Sequence, residues 1–345
     1  MLAVAAFLLA AEIAAGWLLW QHTKPGRSAA TTLAGLMPRA WQRVTAPAPA
    51  SSLPACVTHD AVLRAVFASS ERQSAEGAAV RREVEARYRA AFEALLRTAQ
   101  RRGAAVAMFY PHMAGVPDGR GRTVFEALAR DHALPLIRPV MPAGLGAADL
   151  FLLPVDPHPS RLGHRLMADA LRPVLEDLSD HRAAPVPSRA QAERLGGLPP
   201  GLDEIVTTVP AYPYRLRTNA QGLRMEEPIP ANAERQVVLL LGDSFTYGTP
   251  LNGPDTYAAR LAAALPDRIV VNAGVAGTGI AEARFLLETR WSGTRSDVVV
   301  VQVLDNDIEA LLWTAPAPWF MRRPPRAPTD AERALQSALA KLCRG

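Results

Sequence analysis

The chain is poor in lysine and in cysteine. Its 38 basic residues include only two lysines, Lys24 and Lys341; the rest are arginine. Its two cysteines, Cys56 and Cys343, have no metal-ligand spacing, so no metal site is expected and a dense disulfide framework is excluded. Aromatic residues make up 6% of the chain, and none interleave with a basic cluster. The formal charge of +5 is therefore no nucleic-acid footprint, and no nucleic-acid partner is expected. No long internal repeat occurs, which excludes solenoid architectures.

Long apolar runs are confined to the start. Residues 1–21, MLAVAAFLLAAEIAAGWLLWQ, are apolar except for Glu12 and Gln21. That length suits one bilayer crossing. Trp17 and Trp20 suit an interface, with Lys24 and Arg27 following. A cleaved signal peptide would begin with a positive region, which is missing here. A membrane anchor is expected. The positive-inside rule alone would place the remainder in the cytoplasm.

Residues 22–55, rich in Pro, Ala, Ser and Thr, read as a linker. From 76 to 102, Val80, Val84, Tyr88, Phe92, Leu95 and Leu96 recur at helical spacing, and Gly103 ends the pattern. AAVAMFY at 104–110 reads as a buried strand. A helix is expected at 122–132 and another at 160–178, with LPLI at 134–137 and DLFLLPV at 149–155 between them, and either 134–137 or 149–153 is expected to supply a further strand. Residues 179–235 are Pro-rich and read as an irregular connector. Strands are then expected at 237–241, 268–272 and 297–303, and helices at 255–265, 279–290 and 329–342. Short apolar strands alternating with helices predict an α/β fold with a parallel sheet covered on both faces.

GDS at 242–244 falls where an apolar strand ends. In open α/β sheets, ligands bind beyond the carboxyl ends of the strands. Ser244 there is exposed, beside backbone N–H groups that favour developing negative charge. A serine nucleophile also needs a base and a group that orients the base.

GDSFTYG at 242–248, NAGVAGTG at 272–279, LDND at 304–307 and DPHPSRLGHRLMADAL at 156–171 together resemble the SGNH, or GDSL-like, esterases and acyltransferases. YRLRTNAQGLR at 214–224 resembles the stretch that often precedes the nucleophile in envelope-associated members. The resemblance implies a flavodoxin-like three-layer sandwich with a five-stranded parallel sheet. It makes Ser244 the nucleophile, His158 the base and Asp156 its orienting carboxylate. Ser244, Gly277 and Asn306 would form the oxyanion hole. The family's usual glycine in the third block is Leu304 here. No cofactor is implied. Asp243 is expected to brace its loop, His112 and His164 to be structural, and Asn219 and Arg224 to pack the segment entering the first strand.

The family places its Asp-His block after the serine, whereas here it comes first. Either one domain is circularly permuted, or the tail of one domain is fused to the head of another. Each expected strand occurs once, and two broken halves would each expose a sheet edge. Permutation is therefore expected, with a domain-swapped dimer as a variant. The organisation would be an anchor at 1–21, a linker at 22–55, the Asp-His half at 56–180, a connector at 181–235 and the Ser-Gly-Asn half at 236–345. Cys56 and Cys343 would lie near the join, where a disulfide could form in an oxidising compartment. The resemblance implies an ester of a small molecule or polysaccharide as substrate, and a membrane-anchored enzyme facing the periplasm or cell exterior. The competing expectations are an inert binding or assembly module and the product of a truncated or rearranged gene.

Overall fold

The computed structural model describes residues 64–68, 73–112, 121–183, 195–207, 209–230 and 233–312, with the single positions 333 and 337. The apolar stretch 1–21, the linker, both cysteines and nearly all of the expected helix 329–342 lie outside them. Among the described residues, no helix is long and apolar enough to cross a membrane.

Among the described residues, the first long helix is α1 (Ala75–Arg101), capped by the Ser74 side chain, which accepts from the Gly77 N–H. All six apolar residues that predicted it are buried. Strand β1 (Ala105–Phe109), helix α2 (Arg122–Asp131), strand β2 (Leu136–Ile137), the short helix α3 (Ala147–Leu150) and helix α4 (Arg161–Asp177) follow. The stretch expected to be irregular contains a hairpin of β3 (Asp203–Val206) and β4 (Tyr214–Arg217), paired antiparallel. Strand β5 (Gln236–Leu241) leads into the one-turn helix α5 (Ser244–Tyr247). After a 3-10 turn at Gly253–Asp255 come helix α6 (Tyr257–Ala264), strand β6 (Arg268–Asn272), helix α7 (Ile280–Glu288), strand β7 (Val298–Gln302) and helix α8 (Asp305–Ala310).

Five strands form one sheet in the order β2-β1-β7-β5-β6, with every neighbouring pair parallel. If the count begins at β5 and continues through β7 to β1 and β2, the order becomes 2-1-3-4-5, the flavodoxin-like order. Strands from both halves of the chain thus share one sheet. β1 pairs along its whole length with β7, from Ala105 opposite Val298 to Phe109 opposite Gln302. Both faces are covered, so β5 and β7 are buried at every position. That is why they read as continuous apolar runs rather than alternating ones. Helices α4 and α6 pack on one face and α1 and α7 on the other.

Two buried polar residues fasten the halves at the opposite end of the sheet from the site. Asp297 accepts from the Val237 N–H at 2.7 Å and from the Ala183 N–H at 2.8 Å. The Gln236 side-chain amide donates to the carbonyls of Leu178 and His181. The exit of α4 is thereby tied to the entry of β5. Removing the Asp297 side chain would leave the buried Val237 and Ala183 N–H groups unpaired, at about 1–3 kcal/mol each.

Candidate active site

The nucleophile turn follows directly from β5. Asp243 is buried and caps α5: its Oδ1 accepts from the Phe245 N–H at 2.9 Å. Its Oδ2 accepts from the Asn306 side-chain amide at 3.0 Å. Burial pushes the Asp243 carboxyl up, while the bonds from Asn306 and Phe245 pull it down; the net direction is upward. Gly242 has no room for a side chain, because a Cβ would lie 2.3 Å from both Gln302 Oε1 and Thr246 Oγ1. Ser244, next along, is half-buried.

The turn is held from behind by Arg224. Its guanidinium donates to the carbonyls of Tyr247, Gly248 and Leu251. It also lies over the rings of Tyr214 and Tyr247, 5.1 and 4.9 Å from their centroids. Asn219 shapes the preceding turn, its Oδ1 accepting from the N–H groups of Gln221 and Leu223. Arg224 therefore reaches beyond the segment entering β5 and fastens the residues that follow the serine.

The Asp-His block occupies a loop closed at both ends. The Leu152 N–H donates to the His158 carbonyl and the Ser160 N–H to the Leu150 carbonyl. The Ser160 hydroxyl donates to the Asp149 carbonyl and caps α4 by accepting from the Gly163 N–H. Within the loop, Asp156 Oδ1 lies 2.6 Å from His158 Nδ1 and also accepts from the His158 backbone N–H at 2.8 Å. Burial raises the Asp156 carboxyl, but the ring, backbone and charge of His158 together bring it below the usual carboxylate range. It is therefore ionised at neutral pH. The His158 ring packs on Phe245, the residue after Ser244, with centroids 5.6 Å apart. The structure thus brings His158 and Asp156 to the serine turn within one chain.

The second block is stitched to the same turn. The Ala273 N–H donates to the Leu240 carbonyl and the Val275 N–H to the Gly242 carbonyl. Gly274 must lack a side chain, since a Cβ would sit 2.3 Å from the Tyr247 nitrogen. Gly277 has φ +76° and is exposed. Among the described residues, neither its N–H nor that of Ser244 donates a backbone hydrogen bond outside the helices and strands. Asn306 is exposed in α8, and its amide keeps a second N–H beside the one directed at Asp243. Leu304, at the departure from the family pattern, donates its N–H to Asp307 Oδ2 at 3.0 Å.

Residues 240–344 match the model of the GDSL-like Lipase/Acylhydrolase family. This part of the chain is GDSL-like. The match takes in Ser244, Gly277 and Asn306, while Asp156 and His158 lie upstream of it. No curated protein matches the sequence. Among solved structures, the O-acetyltransferase domain of Pseudomonas putida AlgJ is similar at 15% identity and a TM-score of 0.41, over 77% of this chain and 92% of that one.

The other histidines among the described residues have other partners. His112 stacks on Tyr110 and lies 3.9 Å from Asp305 Oδ2. His132 meets Glu93, and His181 meets the Gly103 carbonyl. His164 is fully buried on α4, its Nδ1 accepting from the Tyr257 N–H. Sequence reasoning missed the group behind the GDSL-like turn: Thr246, Tyr257 and Gln302. The signal available for it was Gln302, the one polar residue in the strand VVVVQ.

Proposed function

We propose that the chain is a serine esterase or O-acyltransferase, a single SGNH-type domain in circularly permuted order. The observation that carries this reading is the Asp156–His158 pair, 2.6 Å apart, with its imidazole against the ring of Phe245, the residue after Ser244. The sheet order, flavodoxin-like only when counted from β5, supports the permutation.

Ser244 Oγ attacks the ester carbonyl carbon while His158 Nε2 takes the hydroxyl proton. Asp156, on Nδ1, fixes the ring tautomer and stabilises the imidazolium. The N–H groups of Ser244 and Gly277 and the free N–H of Asn306 receive the charge on the carbonyl oxygen. The tetrahedral intermediate collapses, the bond to the leaving alcohol breaks, and His158 returns the proton to that alcohol. Water or a sugar hydroxyl then attacks the acyl-serine, giving up its proton to His158, which restores Ser244. We assign acylated carbohydrate, or a similar ester, as the substrate class. The apolar stretch 1–21 would anchor the enzyme facing the periplasm or cell exterior.

Hydrolysis of an aryl acetate tests this reading. The wild type should turn it over, and Ser244→Ala and His158→Ala should fall to the background rate. Equal rates in all three proteins would refute it.

A further inference from the structure

A buried hydrogen-bonded chain runs behind the nucleophile turn and ends on the helix that follows the Asp-His loop. Gln302 Oε1 accepts from the Asp243 N–H at 3.1 Å and lies 2.8 Å from Thr246 Oγ1. A carbonyl oxygen can only accept, so the Thr246 hydroxyl donates to it. Thr246 Oγ1 lies 2.9 Å from Tyr257 Oη. With the threonine proton committed to Gln302, Tyr257 is the donor there. Every member is buried, Thr246 and Tyr257 completely.

Tyr257 is the first residue of α6, and its place is set by α4. His164 Nδ1 accepts the Tyr257 backbone N–H at 3.1 Å. The two rings stack at 5.9 Å and 20°. Phe109 of β1 closes the other contact, 5.5 Å from the Tyr257 ring. His164 lies six residues beyond His158, in the helix capped by Ser160. The helix that follows the base is thus keyed to the element behind the nucleophile through one imidazole and one phenol.

We infer that His164 and Tyr257 are positioning residues, which set the Asp243–Ser244 turn against the Asp156–His158 loop. His164 fixes α6, Tyr257 orients the Thr246 hydroxyl, and Thr246 with Gln302 holds the Asp243 amide immediately before Ser244. Neither residue touches substrate. In a chain whose acid–base block and nucleophile are 86 residues apart (158 to 244), this contact sets their relative position from inside the core. The inference rests on Ser244 being the nucleophile.

Tyr257→Phe, His164→Phe and His164→Asn, in the full chain, separate positioning from bulk packing. Tyr257→Phe keeps the ring and the N–H and removes only the donor to Thr246. His164→Phe keeps a stacked ring without the acceptor, while the Asn side-chain oxygen replaces Nδ1. With aryl acetate, kcat should fall about tenfold in Tyr257→Phe and His164→Phe, the rate equivalent of about 1.4 kcal/mol, or one net hydrogen bond. KM should stay within about twofold of wild type, and His164→Asn should recover most of kcat. Fluorophosphonate labelling of Ser244 should slow in parallel. Wild-type kcat in a folded Tyr257→Phe protein would overturn the inference, as would a change confined to KM. If His164→Phe fails to fold, Tyr257→Phe decides. A wild type inert to both ester and fluorophosphonate would instead bring down the nucleophile assignment, and the inference with it.

Discussion

The carboxylate of Asp243 and the side-chain amide of Asn306 meet at 3.0 Å, joining the first and third sequence blocks across the β5–β7 boundary. In the strand order counted from β5, this boundary is the topological switch point, where ligands bind in open α/β sheets. Asp243 holds the amide by one N–H and aims the other.

Asn306→Ala should therefore lower kcat by about 10²–10³, the usual cost of an oxyanion donor. It should also lower stability, because Asp243 Oδ2 is left buried without its partner. Ester hydrolysis and a thermal melt on the same preparation check both. Unchanged kcat would remove Asn306 from the oxyanion hole.

Asp307 lies next to this pair and is buried. Burial first, then the charges of Asp243, Glu282 and Asp305, push its carboxyl well above the usual range. A group whose folded pKa is raised stabilises below its unfolded pKa and loses that contribution as pH rises towards the folded value. Asp307→Asn should thus gain stability relative to wild type between about pH 4 and about pH 8, as denaturant midpoints would show. The same difference at both pH values would contradict this.

Much of the framework was legible because parallel strands buried on both faces leave unbroken apolar runs. VVLLL, RIVVN and VVVVQ each appear as strands at or within one residue of their expected bounds. Strand β2 was harder: only Leu136 and Ile137 pair, and the alternative stretch at 149–153 opens instead with the end of α3. The hairpin β3–β4 was missed for a physical reason. In β3 the residues Asp203, Glu204 and Ile205 all face solvent, so no apolar period marks it, and in β4 the alternation of buried Tyr214 and Leu216 with exposed Arg215 and Arg217 lasts only four residues. The site was legible as motifs, since Ser244, Gly277, Asn306, Asp156 and His158 each stand in a recognisable block. The role of Arg224 was not, because three carbonyls on a turn 23 to 27 residues away leave no trace in spacing.

The Asp156–His158 loop reaches Phe245 within a single chain. Mixing Ser244→Ala with His158→Ala protein, including after unfolding and refolding together, should restore no esterase activity. Recovery towards a quarter or half of the wild-type rate would instead mean that each site is shared between two chains, as in a swapped dimer.

The most direct test of the account is the rate at which a fluorophosphonate labels Ser244. The wild type should be labelled at Ser244, with the adduct located by peptide mass spectrometry. Labelling should be slower by about 10² or more in His158→Ala, the scale of general-base assistance. It should also be slower in Asp156→Ala. Labelling of His158→Ala at the wild-type rate would show that the upstream block does not serve this serine, and would contradict the permuted active site.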